Sequence, residues 1–191
     1  MIYLVRHGQT VFNAEGRLQG HVDSPLTELG RDQARQAGAA LARLTEGGAG
    51  WRIISSPLGR AQDTAEAIRQ ALGAPAIETD DRLIELSWGE WDGRLRADLK
   101  AQHPEAFGET GWAFTAPIGE SFEAARARLG GWLGALPPEP ERRIIAVSHG
   151  VSGRILRGVY ANLPRAETLA QAVPQDATFR LSGGAIERLD F

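Results

Sequence analysis

Apolar residues recur along this chain with two different spacings, and the spacings alternate. Ile2-Tyr3-Leu4-Val5, Arg52-Ile53-Ile54-Ser55 and Arg143-Ile144-Ile145-Ala146-Val147 contain short unbroken apolar runs, the pattern of strands covered on both faces. Between them the apolar positions fall at steps of three and four. Ala34, Ala37, Leu41 and Leu44 predict a helix that opens at a Thr27 N-cap, runs to about Leu44 and stops at Gly47-Gly48. Leu58, Ala61, Ala65, Ile68 and Leu72 predict a second, starting at Ser56-Pro57 with Pro57 in its first turn and Gly73 as its stop. A weaker strand falls near Ala76–Thr79. Residues 94–120 read as an irregular surface excursion with one short helix near Ala97–Gln102. A further helix is predicted from Ser121 to about Leu136, then a stiff Pro137–Pro140 connector, a helix from Gly150 to Tyr160, and a hairpin of Thr178–Leu181 and Ala185–Leu189 about Ser182-Gly183-Gly184. Strands alternating with helices predict α/β layers about a mainly parallel sheet. With no repeat and no convincing boundary, residues 1–191 read as one domain.

Composition narrows the chemistry. The 191 residues include 24 acidic and 21 basic side chains, a net charge of -3, so no global positive field points to nucleic acid or an anionic membrane. The absence of cysteine removes disulfides and thiolate catalysis. The start, MIYLVRHG, lacks a signal-peptide pattern, and no apolar run approaches the ~20 residues that cross a bilayer, so a cytoplasmic protein is expected.

Two of the four histidines share one local setting: LVRHG and AVSHG each place His-Gly directly after a predicted strand, at the carboxyl edge where open α/β sheets bind ligands. Arg6 precedes the first. Arg60 lies in the first turn of the helix after Arg52–Ser55, where free N–H groups already favour an anion. Arg6, His7, Arg60 and His149 would therefore form a local cationic pocket, and a phosphoryl group fits its charge and geometry. Glu85, between Ile84 and Leu86, either points outward from a strand or enters that pocket, where a carboxyl could protonate a departing alcohol. His21 and His103 have no metal-site spacing and read as solvated; Ser121 reads as a helix cap. Trp88 and Trp91 read as core, whereas Trp112 and Phe114 fit either a substrate lid or a loop anchor.

In order and spacing, LVRHGQT with Asn13, PLTELG, SSPLGRAQDTA, RLIELSWGEWDG, GES and VSHG resemble the histidine phosphatase superfamily, which includes the cofactor-dependent phosphoglycerate mutases. The resemblance spans essentially the whole chain. It implies a three-layer α/β/α sandwich and chemistry through a phosphohistidine. It casts His7 as the nucleophile attacking phosphorus through Nε2, and Arg6, Arg60 and His149 as clamps on the phosphoryl group. Asn13 and the Gly150 N–H would add hydrogen bonds, and Glu85 would be the proton donor. Thr10, Gln19 and Gly20 fall where relatives contact substrate. Arginines supply the charge stabilisation, so no metal and no cofactor are implied, and Gly8 and Gly150 are expected to leave room for the phosphate.

Only about fifty residues separate Gly93 from Ser148, where the mutases carry a longer insertion, and LSWGEWDG resembles the phosphatase branch. The expected function is hydrolysis of a small phosphorylated metabolite, with mutase-type phosphoryl transfer as the alternative and a non-catalytic phospho-ligand module as a further one.

Overall fold

The computed structural model describes residues 1–73, 76–108 and 111–191. Its centre is a six-stranded sheet built from β1 (Ile2–Arg6), β2 (Arg52–Ser55), β3 (Ile77–Thr79), β4 (Ile144–Ser148), β5 (Ala177–Ser182) and β6 (Ala185–Asp190), in the order β3-β2-β4-β1-β5-β6. The β3-β2, β2-β4 and β4-β1 pairings are parallel, and the β5-β6 hairpin closes one edge antiparallel to β1.

Side-chain alternation divides the core into two. Ile2, Leu4, Ile54, Ile144 and Ala146 face one way and pack beneath α5 (Phe122–Gly134) and α6 (Gly150–Tyr160); Tyr3, Val5, Ile53, Ile145 and Val147 face the other way, beneath α2 (Glu28–Leu44) and α3 (Gly59–Leu72). Helices on both faces explain why the strands read as unbroken apolar runs. The fold is thus mixed α/β with a mostly parallel sheet between two helical layers.

The same arrangement locates the ligand edge. From β1 the chain leaves toward the α2 face, and from the adjacent β4 it leaves toward the α6 face. Between strands whose connections diverge a crevice opens at their carboxyl ends.

Several elements differ from expectation. Helix α3 starts at Gly59, with Leu58 as N-cap, rather than at Pro57. Ser56 prolongs the sheet instead: its N–H donates to the Val147 carbonyl (3.0 Å), and its Oγ accepts from Leu58 N (3.3 Å). Helix α5 ends two residues before Leu136. Helix α1 (Val11–Glu15) occupies a stretch that shows no apolar period; a capping box drives it, in which Thr10 Oγ1 accepts from Asn13 N and Asn13 Oδ1 accepts from Thr10 N. Helix α7 (Arg165–Ala170), after Pro164, also lacks a readable stripe. Between residues 94 and 120 a helix, α4 (Arg96–Gln102), forms as expected, and a 3-10 turn at Trp112–Phe114 follows; residues 109 and 110 lie outside the described ones.

Candidate active site

Strand β1 ends at Arg6, and the His7 N–H continues the ladder by donating to the Ser148 carbonyl (3.0 Å). His7 and His149 thereby emerge side by side, with ring centroids 5.1 Å apart. His7 Nδ1 lies 2.8 Å from the Gly8 carbonyl. A carbonyl only accepts, so Nδ1 carries the proton and Nε2 keeps its lone pair. Burial, then the Arg6 and Arg60 charges, holds the ring well below the ordinary histidine pKa. His149, also buried, is lowered first by burial, then by Arg60, His7 and Arg6; its Nε2 meets Ser56 Oγ at 2.7 Å, and its Nδ1 has no partner.

Above His7 opens a cavity of about 220 Å³, whose inner wall carries Arg6, His7, Asn13, Arg60, Glu85 and Gly150. Arg60 is 1% exposed. Its Nη2 donates to the Gly20 carbonyl (2.7 Å), and its Nη1 donates to the Val22 carbonyl (3.1 Å) and to Asp23 Oδ1 (2.9 Å). These acceptors offset much of the cost of burying the charge, while Nε has no partner. Arg6 donates through Nη1 to the Val173 carbonyl and likewise keeps a buried, unpartnered Nε. The two guanidiniums are therefore held by the protein yet retain free N–H groups.

Glu85 turns inward, which decides between the two orientations the sequence allows. The carbonyls around it are anchored from below: Ser148 Oγ donates to the Leu83 carbonyl (2.8 Å), and Ser152 Oγ (2.6 Å) and Arg128 Nη1 (3.0 Å) donate to that of Ile84. Glu120 fixes Arg128 through two hydrogen bonds of 2.7 and 2.9 Å. The Glu85 carboxylate then meets the start of α6, accepting from the N–H groups of Val151 (3.1 Å) and Ser152 (2.9 Å) and from its neighbour Leu86 (2.9 Å). A Cβ placed on Gly150 would lie 3.5 Å from Arg6 Nε and 3.7 Å from Glu85 Oε2, so Gly150 borders both groups.

Three expectations need correction. Thr10 is fully buried and does not line the cavity; its hydroxyl caps α1 and donates to Gln19 Oε1 (2.8 Å). Gln19 and Gly20 do line it. Gly8 serves packing rather than phosphate access, because a Cβ there would sit 2.1 Å from the Gly30 carbonyl oxygen, and one on Gly30 would sit 1.9 Å from that of Gln9. The two glycines let the loop after β1 lie directly on the first turn of α2. His149 abuts His7 without lining the cavity, and its exposure is 1%.

Other residues of the site lie outside the sequence-based expectation. Asp23 orients Arg60. Arg154 lines the cavity one turn along α6 from Gly150, on the same helix face, and that i,i+4 spacing could have found it. Arg17 and Arg96 line the outer wall with Trp88 and Trp112, whose rings stack at 5.1 Å; Arg96 lies 4.9 Å from the Trp112 centroid. Trp91 is core and Phe114 packs edge-on against Phe122, whereas His21, exposed, reaches the Glu85 carbonyl at 3.0 Å. Among the described residues no three His, Asp or Glu side chains cluster as a metal site, and no helix is long and apolar enough to cross a membrane.

A fold with two helix-flanked histidines, two arginines and one carboxylate at a single sheet edge defines a class. Residues 2–181 match the family model of the histidine phosphatase superfamily (branch 1), and the chain belongs to that superfamily. Among curated relatives, a protein named "Probable phosphoglycerate mutase GpmB" in Cronobacter sakazakii is 37% identical over 200 aligned positions, covering 100% of this chain and 84% of the relative. Its namesake in Salmonella paratyphi C is 36% identical with the same coverage. Among solved structures, Bacillus stearothermophilus YhfR superposes with a TM-score of 0.81 at 28% identity, covering 99% of this chain and 95% of that one. A mycobacterial glucosyl-3-phosphoglycerate phosphatase complexed with VO3 gives 0.75 at 29%, covering 99% and 96%. A putative alpha-ribazole-5'-P phosphatase from Escherichia coli gives 0.77 at 25%, covering 99% and 94%.

Proposed function

We propose that the protein is a phosphomonoesterase that hydrolyses a small phosphorylated metabolite through a phosphohistidine on His7, without a metal ion. The observation that carries this reading is the state of His7: Nδ1 is committed to the Gly8 carbonyl, and the ring is kept neutral by burial and two arginines, within a cavity that also holds a carboxyl group. A neutral imidazole with a free Nε2 is a nucleophile.

In the first step the Nε2 lone pair attacks phosphorus and the ester P–O bond breaks. The protonated Glu85 carboxyl gives its proton to the leaving alkoxide. Arg6 and Arg60 stabilise the charge on the equatorial oxygens, with Asn13 and Gly150 completing the cradle, while His149 packs beside His7. In the second step the Glu85 carboxylate removes a proton from water, the resulting hydroxide attacks phosphorus, and the P–N bond breaks. Inorganic phosphate leaves and Glu85 is protonated again.

The test is hydrolysis of p-nitrophenyl phosphate in EDTA with His7→Ala as control. His7-dependent turnover is expected, together with an acid-labile, base-stable phosphoryl group on the protein in rapid-quench samples. Turnover that survives His7→Ala would overturn the reading. The relatives named as probable phosphoglycerate mutases favour a second one, phosphoryl transfer between hydroxyls of the same metabolite class. Efficient interconversion of 3- and 2-phosphoglycerate in the presence of 2,3-bisphosphoglycerate would select it. The phosphatases among the structural neighbours favour the first, as does a short segment between Gly93 and Ser148.

A further inference from the structure

Side-chain amides connect the segment after α7 to the floor of the site. Gln175, half-buried between α7 and β5, donates from Nε2 to the His7 carbonyl (3.0 Å) and to Asn13 Oδ1 (3.1 Å). The His7 carbonyl can only accept, so it fixes which end of the Gln175 amide is nitrogen. Gln175 then fixes Asn13. Asn13 Oδ1 receives both the Gln175 amide and the Thr10 backbone N–H (3.2 Å). Turning the Asn13 amide over would set its nitrogen against two donors. Its Nδ2 is therefore held away from them, with only a long contact of 3.4 Å to Gln19 Oε1, and Asn13 lines the cavity. Gln19 is locked in turn, accepting from Thr10 Oγ1 and donating to Ser24 Oγ (2.9 Å).

We propose that Gln175 is a positioning residue, which keeps Asn13 facing the cavity as a pure donor and so matches it to a phosphoryl oxygen, an acceptor. This inference rests on the reading of the cavity as a phosphoryl site. A donor held in one orientation before the substrate arrives needs no reorganisation when charge develops on the oxygen it serves. Gln175 acts through Asn13 and does not touch the reacting atoms.

A double-mutant cycle on kcat/KM for p-nitrophenyl phosphate separates this role from general support of the fold. Gln175→Met keeps the length of the side chain and removes the amide. With Asn13 present it is expected to lower kcat/KM roughly tenfold, the scale of one hydrogen bond; in the Asn13→Ala background it is expected to change kcat/KM less than about twofold, since no amide remains to orient. If Gln175→Met does not fold, Gln175→Asn, too short to reach both acceptors, completes the same cycle. Gln175→Glu sets a carboxylate against the His7 carbonyl and Asn13 Oδ1, and its penalty should deepen as pH rises through the carboxyl's titration, a dependence that loss of packing would not produce. Equal penalties in both backgrounds, or none with Asn13 present, overturn the positioning role while His7-dependent turnover persists. Absence of His7-dependent turnover in the unaltered protein overturns the phosphoryl-site reading itself.

Discussion

The inner and outer halves of the cavity are built on different physics. The inner half hangs from the ends of β1 and β4 and the start of α3 and α6, and each of these ionisable groups is tied to a backbone acceptor or donor: Arg60 to Gly20 and Val22, Arg6 to Val173, His7 to Gly8, Glu85 to Val151 and Ser152. The outer half comes from Arg17, Trp88, α4 and the Trp112–Phe114 turn, and its rings stack on one another and on the core, Trp88 on Trp112 (5.1 Å), Trp112 on Phe107 (4.6 Å), and Phe107 and His103 on Trp91 (5.7 Å each). Backbone tethers fix polar groups in one geometry. Stacked rings tolerate sliding and exchange. On the proposed reading, the inner half suits invariant chemistry and the outer half suits selection of the leaving group.

The comparison breaks if changes in the two halves have similar consequences. The largest effect belongs to His7→Ala, which should lower kcat by on the order of 10⁴-fold or more with little change in substrate affinity, as single-turnover and equilibrium measurements would separate. Next, Arg60→Ala should cost roughly 10²–10³ in kcat/KM and weaken vanadate inhibition in parallel. Gly8→Ala, outside the chemistry, should destabilise the fold by about 1–3 kcal/mol in urea unfolding, because the Gly30 carbonyl must move aside. A smaller response comes from Trp112→Ala: KM for bulky phosphate esters should rise several-fold, on the scale of a lost apolar contact, with kcat for p-nitrophenyl phosphate within about twofold. A large fall in kcat there would erase the distinction between the halves.

The pH dependence of stability sharpens the same point. His7 and His149 have folded-state pKa values depressed below those of the unfolded chain, mainly by burial. Below about pH 6.5 the unfolded chain binds protons that the folded state refuses, so stability is complete above that value and falls as pH drops, by up to about 1.4 kcal/mol per unit for each histidine. Chemical denaturation at pH 5.0 and 7.5 should show this loss, and His149→Gln should remove part of it. A flat profile would mean that the inner half is wetter than its burial implies.

Much of the scaffold is legible because it follows short-range patterns. The runs at Ile2–Val5, Ile53–Ile54 and Ile144–Val147 could only be doubly covered strands, and His-Gly after two of them marked the edge where ligands bind. The first-turn position after Ser55 extended this to Arg60, and the correspondence with family motifs added Asn13 and the proton-donor role of Glu85, whose direction the local pattern had left open. Helices α1 and α7 escaped because a capping box and a proline, not a stripe, define them. Pro57 misled because Ser56 was needed at the sheet edge beside His149.

By itself the sequence determined the strands, the main helices and the residue types gathered at one edge, since periodicity and His-Gly spacing are local properties of the chain. Only the tertiary structure decided that Glu85 points inward, that Asp23 and Gln175 hold Arg60 and Asn13, and that Thr10 and Gly8 serve caps and packing. Apart from the Thr10 cap on Asn13, those outcomes depend on distant partners, such as Gly30 for Gly8 and Gln175, 162 positions away, for Asn13. Hydrogen-bond direction and van der Waals exclusion act through space, and no spacing along the chain records them.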